Sequence, residues 1–221
     1  VAIRKFIFRV VWFGDTAADN IADGGDITDG VDATFFTLLD GLFKQMDTQV
    51  TANAAQGVSI AENAGLTYAT QVMVDAKVQG YLSKIYYQAD IRLRSMPDNF
   101  ILCTQSVYDS YQRSLMADKI ESTYKNLTEG ISVLTYNGIP LIPMQIWDEL
   151  IQANNDTTAK WINPNRAVFT NKKVLGIAVD STTSFENLKI WLDDETDKTK
   201  MKARGKIDAK LQNPLFFTYA V

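Results

Sequence analysis

Hydrophobic and polar positions change their spacing several times along the chain, and each change predicts a new element. Residues 3–13 are rich in Ile, Phe and Val and are followed by Gly14-Asp15, which predicts a β-strand. Residues 15–32 are acidic and glycine-rich and predict a loop. Apolar residues in 35–46 recur at i, i+3, i+4 and i+7, which predicts an amphipathic helix with Asp32 as its N-cap.

The middle of the chain is predicted to be mainly helical. Residues 48–66 are small, polar and weakly patterned, which is typical of a connection. Residues 69–94 predict one long helix that Pro97 ends, and its apolar stripe consists of Val74, Val78, Leu82, Ile85, Ala89 and Leu93. Residues 100–103 predict a strand. Thr104 is a candidate cap for a third helix, whose apolar face contains Val107, Tyr108, Tyr111 and Leu115.

A hairpin is the clearest short signal in the next part of the chain. Polar residues 117–130 predict an exposed loop, and residues 131–136 and 139–142 predict two strands around the turn Asn137-Gly138. Pro140 and Pro143 restrict the second strand to an edge position or a short length. Residues 144–151 predict a short helix, and residues 154–164 predict a loop.

The last third is predicted to be β-structure. Residues 167–170 and 174–179 are strand candidates. Apolar residues alternate with polar ones on both sides of a charged tip at 193–200, which predicts a long two-stranded ribbon. The alternating residues are Leu188, Ile190 and Leu192 before the tip, and Met201, Ala203, Ile207, Ala209 and Leu211 after it. Asn213-Pro214 ends this pattern, and residues 215–221 predict a final strand.

Length and composition support a folded chain of one domain or two closely joined ones, and its predicted elements make it an α+β chain. The 221 residues are 46% hydrophobic and 22% charged, an ordinary globular mixture. No apolar run reaches the roughly 18 residues that a membrane-spanning helix needs. The sequence begins at Val1 without Met and without a signal-peptide pattern, which indicates either removal of an N-terminal part or a fragment.

Several catalytic and binding chemistries have no support in the residue types. The chain contains no histidine, the commonest general base and zinc ligand. Its single cysteine, Cys103, lies in an apolar run and is predicted to be a buried, inert thiol. Neither a phosphate-binding glycine loop nor a nucleophile elbow is present. The net charge of −4 and the pI near 4.9 argue against tight nucleic-acid binding.

Two acidic clusters are the main places where chemistry could occur. A calcium loop in residues 19–24 would place Ile21 and Ala22 at ligand positions, so turn formation and helix capping explain Asp19, Asp23, Asp26 and Asp29 better. The second cluster is at the ribbon tip, where Lys198 and Lys200 lie next to four carboxylates, those of Asp193, Asp194, Glu195 and Asp197. This mixture of charges predicts a solvated turn or ion pairs with a neighbouring subunit. Trp147 and Trp161 could line a ligand site, but packing in a core or a subunit contact is favoured. We predict no catalytic residue, no metal site and no cofactor.

The order of these elements resembles the tailed-phage major capsid protein fold of the Hong Kong 97 type. The resemblance lies in the strand-to-helix unit at 100–111, in Gly-Ile-Pro-Leu-Ile-Pro at 138–143, in the charged-tip ribbon, and in Leu-Gln-Asn-Pro-Leu-Phe-Phe at 211–217. Trp-Phe-Gly-Asp at 12–15 and Ile-Thr-Asp-Gly-Val-Asp at 27–32 also look like capsid proteins from phages and prophages of gut bacteria.

This resemblance implies two domains and two contact loops. The axial domain would comprise residues 99–185 and 213–221, and the peripheral domain residues 1–98 and 186–212. The ribbon tip would meet neighbours near threefold positions, through Asp193, Asp194, Glu195, Asp197, Lys198 and Lys200. The polar loop would crowd around fivefold and sixfold axes, through Lys119, Glu121, Lys125 and Glu129. An N-terminal arm and a long hairpin loop are typical of the family, and with little sequence available before Ile3 this chain would lack part of that assembly apparatus. The Lys-Asn cross-link of some members is not transferred, because the ribbon strand offers Lys200 and Lys202 but no Asn.

The resemblance therefore implies a non-enzymatic subunit of an icosahedral virion capsid. Hexamers and pentamers of the chain would enclose double-stranded DNA without binding it specifically, and scaffold or portal proteins would be partners. Assembly would occur in the cytoplasm of the bacterial host, without a membrane. The first alternative is the shell protein of an encapsulin-type nanocompartment. The second is a carboxylate-dependent enzyme of unrelated α+β fold.

Overall fold

The structure is a computed structural model that describes residues 2–16, 38–118, 124–128, 131–179, 189–193, 198–202 and 207–221. The α-helices in these ranges are α1 (Ala2–Phe13), α2 (Leu42–Ala52), α3 (Asp75–Gln88), α4 (Ile91–Arg94), α5 (Gln105–Ala117) and α6 (Gln145–Asn154). The strands are β1 (Gly57–Val58), β2 (Asn99–Cys103), β3 (Tyr124–Thr128), β4 (Ile131–Tyr136), β5 (Ile139–Pro143), β6 (Ala167–Asn171), β7 (Leu175–Val179), β8 (Lys189–Asp193), β9 (Lys198–Lys202), β10 (Ile207–Leu211) and β11 (Phe217–Ala220).

One mixed sheet organises the described residues, with the strand order β1-β11-β6-β2-β5-β4-β3. The pairs β1–β11 and β2–β5 are parallel, and the other neighbours are antiparallel. β7 pairs with β10, and β8 pairs with β9, in two separate antiparallel ladders. None of the described helices combines the length and the apolarity that crossing a membrane requires.

The central strands are covered by helices on both faces. Successive side chains of a strand point to opposite faces, and Ile101 and Leu102 of β2 belong to different apolar cores. Phe169 and Val168 of β6 divide in the same way. One core contains residues of α1, α2 and α6, and the other contains residues of α3 and α5. Burial on both faces explains why the sequence of these strands is almost continuously apolar.

Helix α1 shows that the predicted strand at residues 3–13 is wrong. The apolar positions of this segment recur at helical spacing, at Ile3, Phe6, Ile7, Val10 and Val11. High Ile, Phe and Val content is typical of strands, but the periodicity is the better indicator. The end of the helix is deeply buried, at Val10, Val11, Trp12 and Phe13.

Helix α2 begins later than predicted, because two backbones cross just before it. The N–H of Gly41 donates to the carbonyl oxygen of Gly14 at 2.6 Å. A Cβ atom on Gly41 would lie 2.6 Å from the Gly14 nitrogen, closer than real Cβ contacts. Residues 38–41 are therefore non-helical, and the helix extends to Ala52 through part of the predicted connection. The predicted Asp32 cap and nearly all of the acidic loop lie outside the described residues.

The predicted long helix at 69–94 is divided into three elements. A 3-10 turn at Tyr68–Gln71 is closed by a capping box between Thr67 and Thr70. Asp90 starts α4, since its carboxylate accepts the N–H of Arg92 at 2.8 Å. Each side-chain cap satisfies backbone donors at a new helix start, so α3 covers only the middle of the segment.

Two β-sheet predictions need correction, and a third is confirmed in one of its alternatives. Residues 124–128 form β3 on the sheet edge, within the predicted exposed loop. β5 is short, which is one of the two alternatives predicted for it, and it lies between β2 and β4. β8 and β9 confirm the ribbon beside the tip, whereas Ile207–Leu211 pairs with β7 and not with β8.

The remaining local predictions are confirmed closely. Strand β2, helix α5, helix α6 and strand β11 lie where the sequence indicates them. Asn137 and Gly138 both have positive φ, 50° and 76°, as a two-residue hairpin turn requires. Thr104 occupies the N-cap position of α5, but its hydroxyl makes no capping hydrogen bond. Cys103 is fully buried, and burial raises its pKa, as expected of an inert thiol.

Candidate functional site

The predicted interface residues are only partly described. Asp193 and Lys198 are cross-strand partners at the tip end of the ribbon, and Lys200 lies opposite Trp191. Lys125 lies in β3, opposite Val133. The others fall outside the described residues, namely Lys119, Glu121, Glu129, Asp194, Glu195 and Asp197. Their role in subunit contacts stays a prediction.

A cleft of about 270 Å³ lies beside α5 and α6. The two parallel strands β2 and β5 end side by side, with Cys103 paired to Pro143. Each strand leads at once into a helix, so the first turns of α5 and α6 lie next to each other. The lining side chains include Tyr68, Gln71, Ser106, Asp109, Arg113, Asp148, Trp161 and Asn165.

The floor of the cleft is a buried amide network. The Nδ2 group of Asn63 donates to the carbonyl oxygen of Asn165 at 2.8 Å, and the N–H of Asn165 donates to Asn63 Oδ1 at 3.0 Å. Gln71 bonds the backbone of Trp161 in both directions, at 2.7 and 2.9 Å. Ser106 donates to Asn165 Oδ1 at 2.7 Å. These satisfied buried groups hold the floor in one arrangement.

Two carboxylates share one glutamine at the edge of this floor. The backbone N–H of Gln105 donates to Asp148 Oδ2 at 3.0 Å, and its side-chain amide donates to Asp109 Oδ1 at 2.7 Å. Burial, with a smaller contribution from the negative charge of Asp109, raises the pKa of Asp148 to about 6. Within the part of the chain that the structure describes, no lysine or arginine forms an ion pair with Asp148.

Two aromatic rings also line the cleft. The rings of Tyr68 and Trp161 lie 4.5 Å apart, and the Tyr68 hydroxyl donates to Asp156. Arg113 also lines the cleft, but its guanidinium is held by both carboxylate oxygens of Asp75, at 2.9 and 3.0 Å. Trp161 thus lies at a concave site, whereas Trp147 is fully buried in the core, as predicted for packing.

The two serine hydroxyls that line the cleft are occupied by other hydrogen bonds. The hydroxyls of Ser106 and Ser110 donate to an amide oxygen and to a backbone carbonyl, so neither carboxylate activates them as a nucleophile. No group of three metal-ligating side chains occurs in the described ranges. The cleft was not predicted from the sequence. One feature of the sequence could have indicated it. Asp109 and Asp148 follow two strands, β2 and β5, at nearly the same distance along the chain.

Asp148→Asn is expected to stabilise the folded chain at pH 8 by about 2–3 kcal/mol, since one pKa unit corresponds to about 1.4 kcal/mol. The pKa of this carboxyl is raised from 3.8 to about 6 in the folded chain. The folded state therefore binds more protons between these values, and wild-type stability falls as the pH rises through this window. Below about pH 3 the Asp148 carboxyl is protonated in both the folded and the unfolded chain, so the advantage of the variant disappears, and at pH 4 only a small part of it remains.

Urea unfolding at pH 4 and pH 8 measures this difference. Glu149→Gln removes a carboxylate from the adjacent exposed position of α6 and serves as the control. An Asp148→Asn advantage that is equal at both pH values would contradict a desolvated carboxylate.

Comparisons with known proteins add a fold but no family. No protein-family model matches the chain, and no curated protein matches it. A chain of the satellite phage P4 procapsid, in a structure that includes the size determination (Sid) protein, matches with a TM-score of 0.53 and 9% identity. That match covers 99% of this chain and 62% of the procapsid chain.

A second solved structure is the holo-SrpI encapsulin complex from Synechococcus elongatus PCC 7942. Its TM-score is 0.46 at 10% identity, with 81% of this chain and 61% of the encapsulin chain covered. This chain thus spans about three fifths of the length of both solved chains. The mixed sheet with helices on both faces and the procapsid match together identify the fold as the α+β fold of Hong Kong 97-type shell proteins.

Proposed function

We propose that the chain is a structural subunit that assembles with copies of itself into a closed shell, and specifically a major capsid protein of a tailed phage or prophage. The observation that carries the proposal is the procapsid match over 99% of the chain. Many weak contacts suffice in such a shell, because each subunit is held by several neighbours at once.

The proposal also covers how the subunits are arranged in the shell and what the shell encloses. Residues 99–185 and 213–221 form the axial domain around fivefold and sixfold axes, and the remainder forms the peripheral domain. Hexamers and pentamers enclose double-stranded DNA, and scaffold and portal proteins assist in the host cytoplasm before the virion is complete. The acidic net charge of −4 supports enclosure of DNA without specific binding.

Negative-stain electron microscopy of the natural full-length protein, expressed with its genomic neighbours, tests the proposal. We expect closed particles of uniform diameter whose interior holds nuclease-protected DNA. Particles that enclose a partner enzyme and no DNA would favour the nanocompartment alternative. Monomers under all conditions, at concentrations where other shell proteins assemble, would contradict a shell function.

A further inference from the structure

The cleft beside α5 and α6 has the chemistry of a receptor for a positively charged side chain. Its lining contains the carboxylates of Asp109 and Asp148 and the Tyr68–Trp161 ring pair. Carboxylates attract ammonium and guanidinium groups directly, and aromatic faces attract them through the ring quadrupole. The amide oxygen of Gln105, whose nitrogen binds Asp109, is buried and accepts no hydrogen bond from the described residues.

The cleft is also built before any ligand enters. Asn165 and Gln71 in its floor are 1% and 2% exposed, and their hydrogen bonds fix the backbone that carries Trp161. Arg113 is bound by Asp75 and also interacts electrostatically with Asp109, but it forms no ion pair with Asp148. The lining therefore keeps more negative than positive charge, and a preformed site of this kind gains binding energy without an ordering cost.

The chain itself supplies a matching cation. Strand β9 has the sequence Lys-Thr-Lys-Met-Lys, with lysines at 198, 200 and 202. Positions 198, 200 and 202 alternate along β9, and their register partners in β8 are Asp193, Trp191 and Lys189. β9 pairs only with β8 among the described strands and is not part of the large sheet.

We propose that the cleft of one subunit binds a lysine of the β9 strand of a second copy of the chain. The contact joins the lysine-containing strand of the ribbon to the acidic cleft, and it is a specific pairing within the proposed shell. This contact rests on the proposed function only in one respect, namely that copies of the chain lie next to one another in a shell. The recognition chemistry can be measured on the isolated chain.

A capped pentapeptide with the sequence of residues 198–202 is the binding probe. Four tryptophans give separate indole N–H resonances, so Trp161 reports the cleft, and the other three are internal references. We expect the peptide to shift the Trp161 signal, and Asp109→Asn with Asp148→Asn to weaken its affinity at least about tenfold. A Gln-Thr-Gln-Met-Gln peptide should give no shift. Absence of a shift with the lysine peptide, or an equal shift with spermidine at the same charge concentration, would overturn the proposal.

Disulfide trapping identifies the source of the lysine. Gln152 is an exposed residue of the cleft, and Cys103 is buried, so paired cysteines at 152 and 200 should give covalent multimers on oxidation. Cysteines at 88 and 200 form the control pair, because Gln88 ends α3 at the end opposite Asp75. A purely intrachain disulfide would overturn the assignment to a second copy. Peptide binding without particle formation would contradict the shell function alone, and particles without peptide binding would contradict the cleft assignment alone.

Discussion

Trp147→Ala is expected to lower the free energy of unfolding by about 3–5 kcal/mol, the range for truncating a buried tryptophan. The side chain of Trp147 is fully buried. Its ring centroid lies 4.7 Å from that of Trp12 and 4.9 Å from that of Phe43, both in edge arrangements. The substitution removes the contact through which α6 packs on α1 and α2, and a cavity remains because three elements meet there.

Trp147→Phe is the matched variant. The indole Nε1 has no hydrogen-bond partner within the described part of the chain, so this change removes an unpaired donor as well as one ring. We expect its cost to be less than half that of the alanine variant, because much of the volume is kept. Urea unfolding monitored by circular dichroism measures both. If Trp147→Ala lowered the free energy of unfolding by less than about 1 kcal/mol, the surrounding core would have to collapse and fill the cavity.

The same substitution should also weaken the cleft. Asp148 follows Trp147 directly on α6, and its position relative to Gln105 depends on how that helix is seated. We therefore expect Trp147→Ala to reduce binding of the lysine pentapeptide even under conditions where the chain remains folded. One side of α6 packs in the core through Trp147, and another side lines the cleft through Asp148.

Local elements were predictable where the signal was short in range. Asn137-Gly138 specifies its turn through two positive φ angles, which few other residue pairs tolerate. The run from Asn99 to Cys103 is apolar because both faces of β2 are covered, and this pattern needs no knowledge of its neighbours.

Other features depend on contacts between distant residues. The start of α2 is fixed by the crossing of Gly14 and Gly41, which lie far apart in sequence. The place of β10 beside β7 rather than in the ribbon is likewise a tertiary choice between two strands of similar pattern. Strand preferences depend strongly on such surroundings.

The cleft belongs to this second group. Asp109 and Asp148 are separated along the chain and meet only because β2 and β5 are parallel neighbours. A parallel arrangement is not indicated by either strand alone. Asp148 is expected to stabilise the folded chain less than asparagine would at the same position. A charged residue with this property is typical of a functional site.

Arg166→Lys is expected to lower the free energy of unfolding by about 2–4 kcal/mol, since a buried, stacked guanidinium is not replaceable by an ammonium. Arg166 is fully buried. Its guanidinium carbon lies 4.6 Å from the centroid of the Phe43 ring, its Nη1 donates to the Tyr219 hydroxyl at 2.8 Å, and its Nε donates to the Asn163 carbonyl at 3.0 Å. Lysine keeps the charge but has neither the planar fork nor the stacking surface, so these contacts cannot all be retained.

Arg92→Lys is the matched control, because Arg92 also lies over a ring, 5.1 Å from the centroid of Phe216, but its side chain is 61% exposed. Water solvates either cation at that position, and we expect a change within about 0.5 kcal/mol. Urea unfolding of both variants at pH 7 gives the comparison. Equal losses would mean that the cost arises from the loss of arginine in general. A loss at Arg166 alone would show that burial makes the guanidinium geometry decisive where α1, α2, β6 and β11 meet.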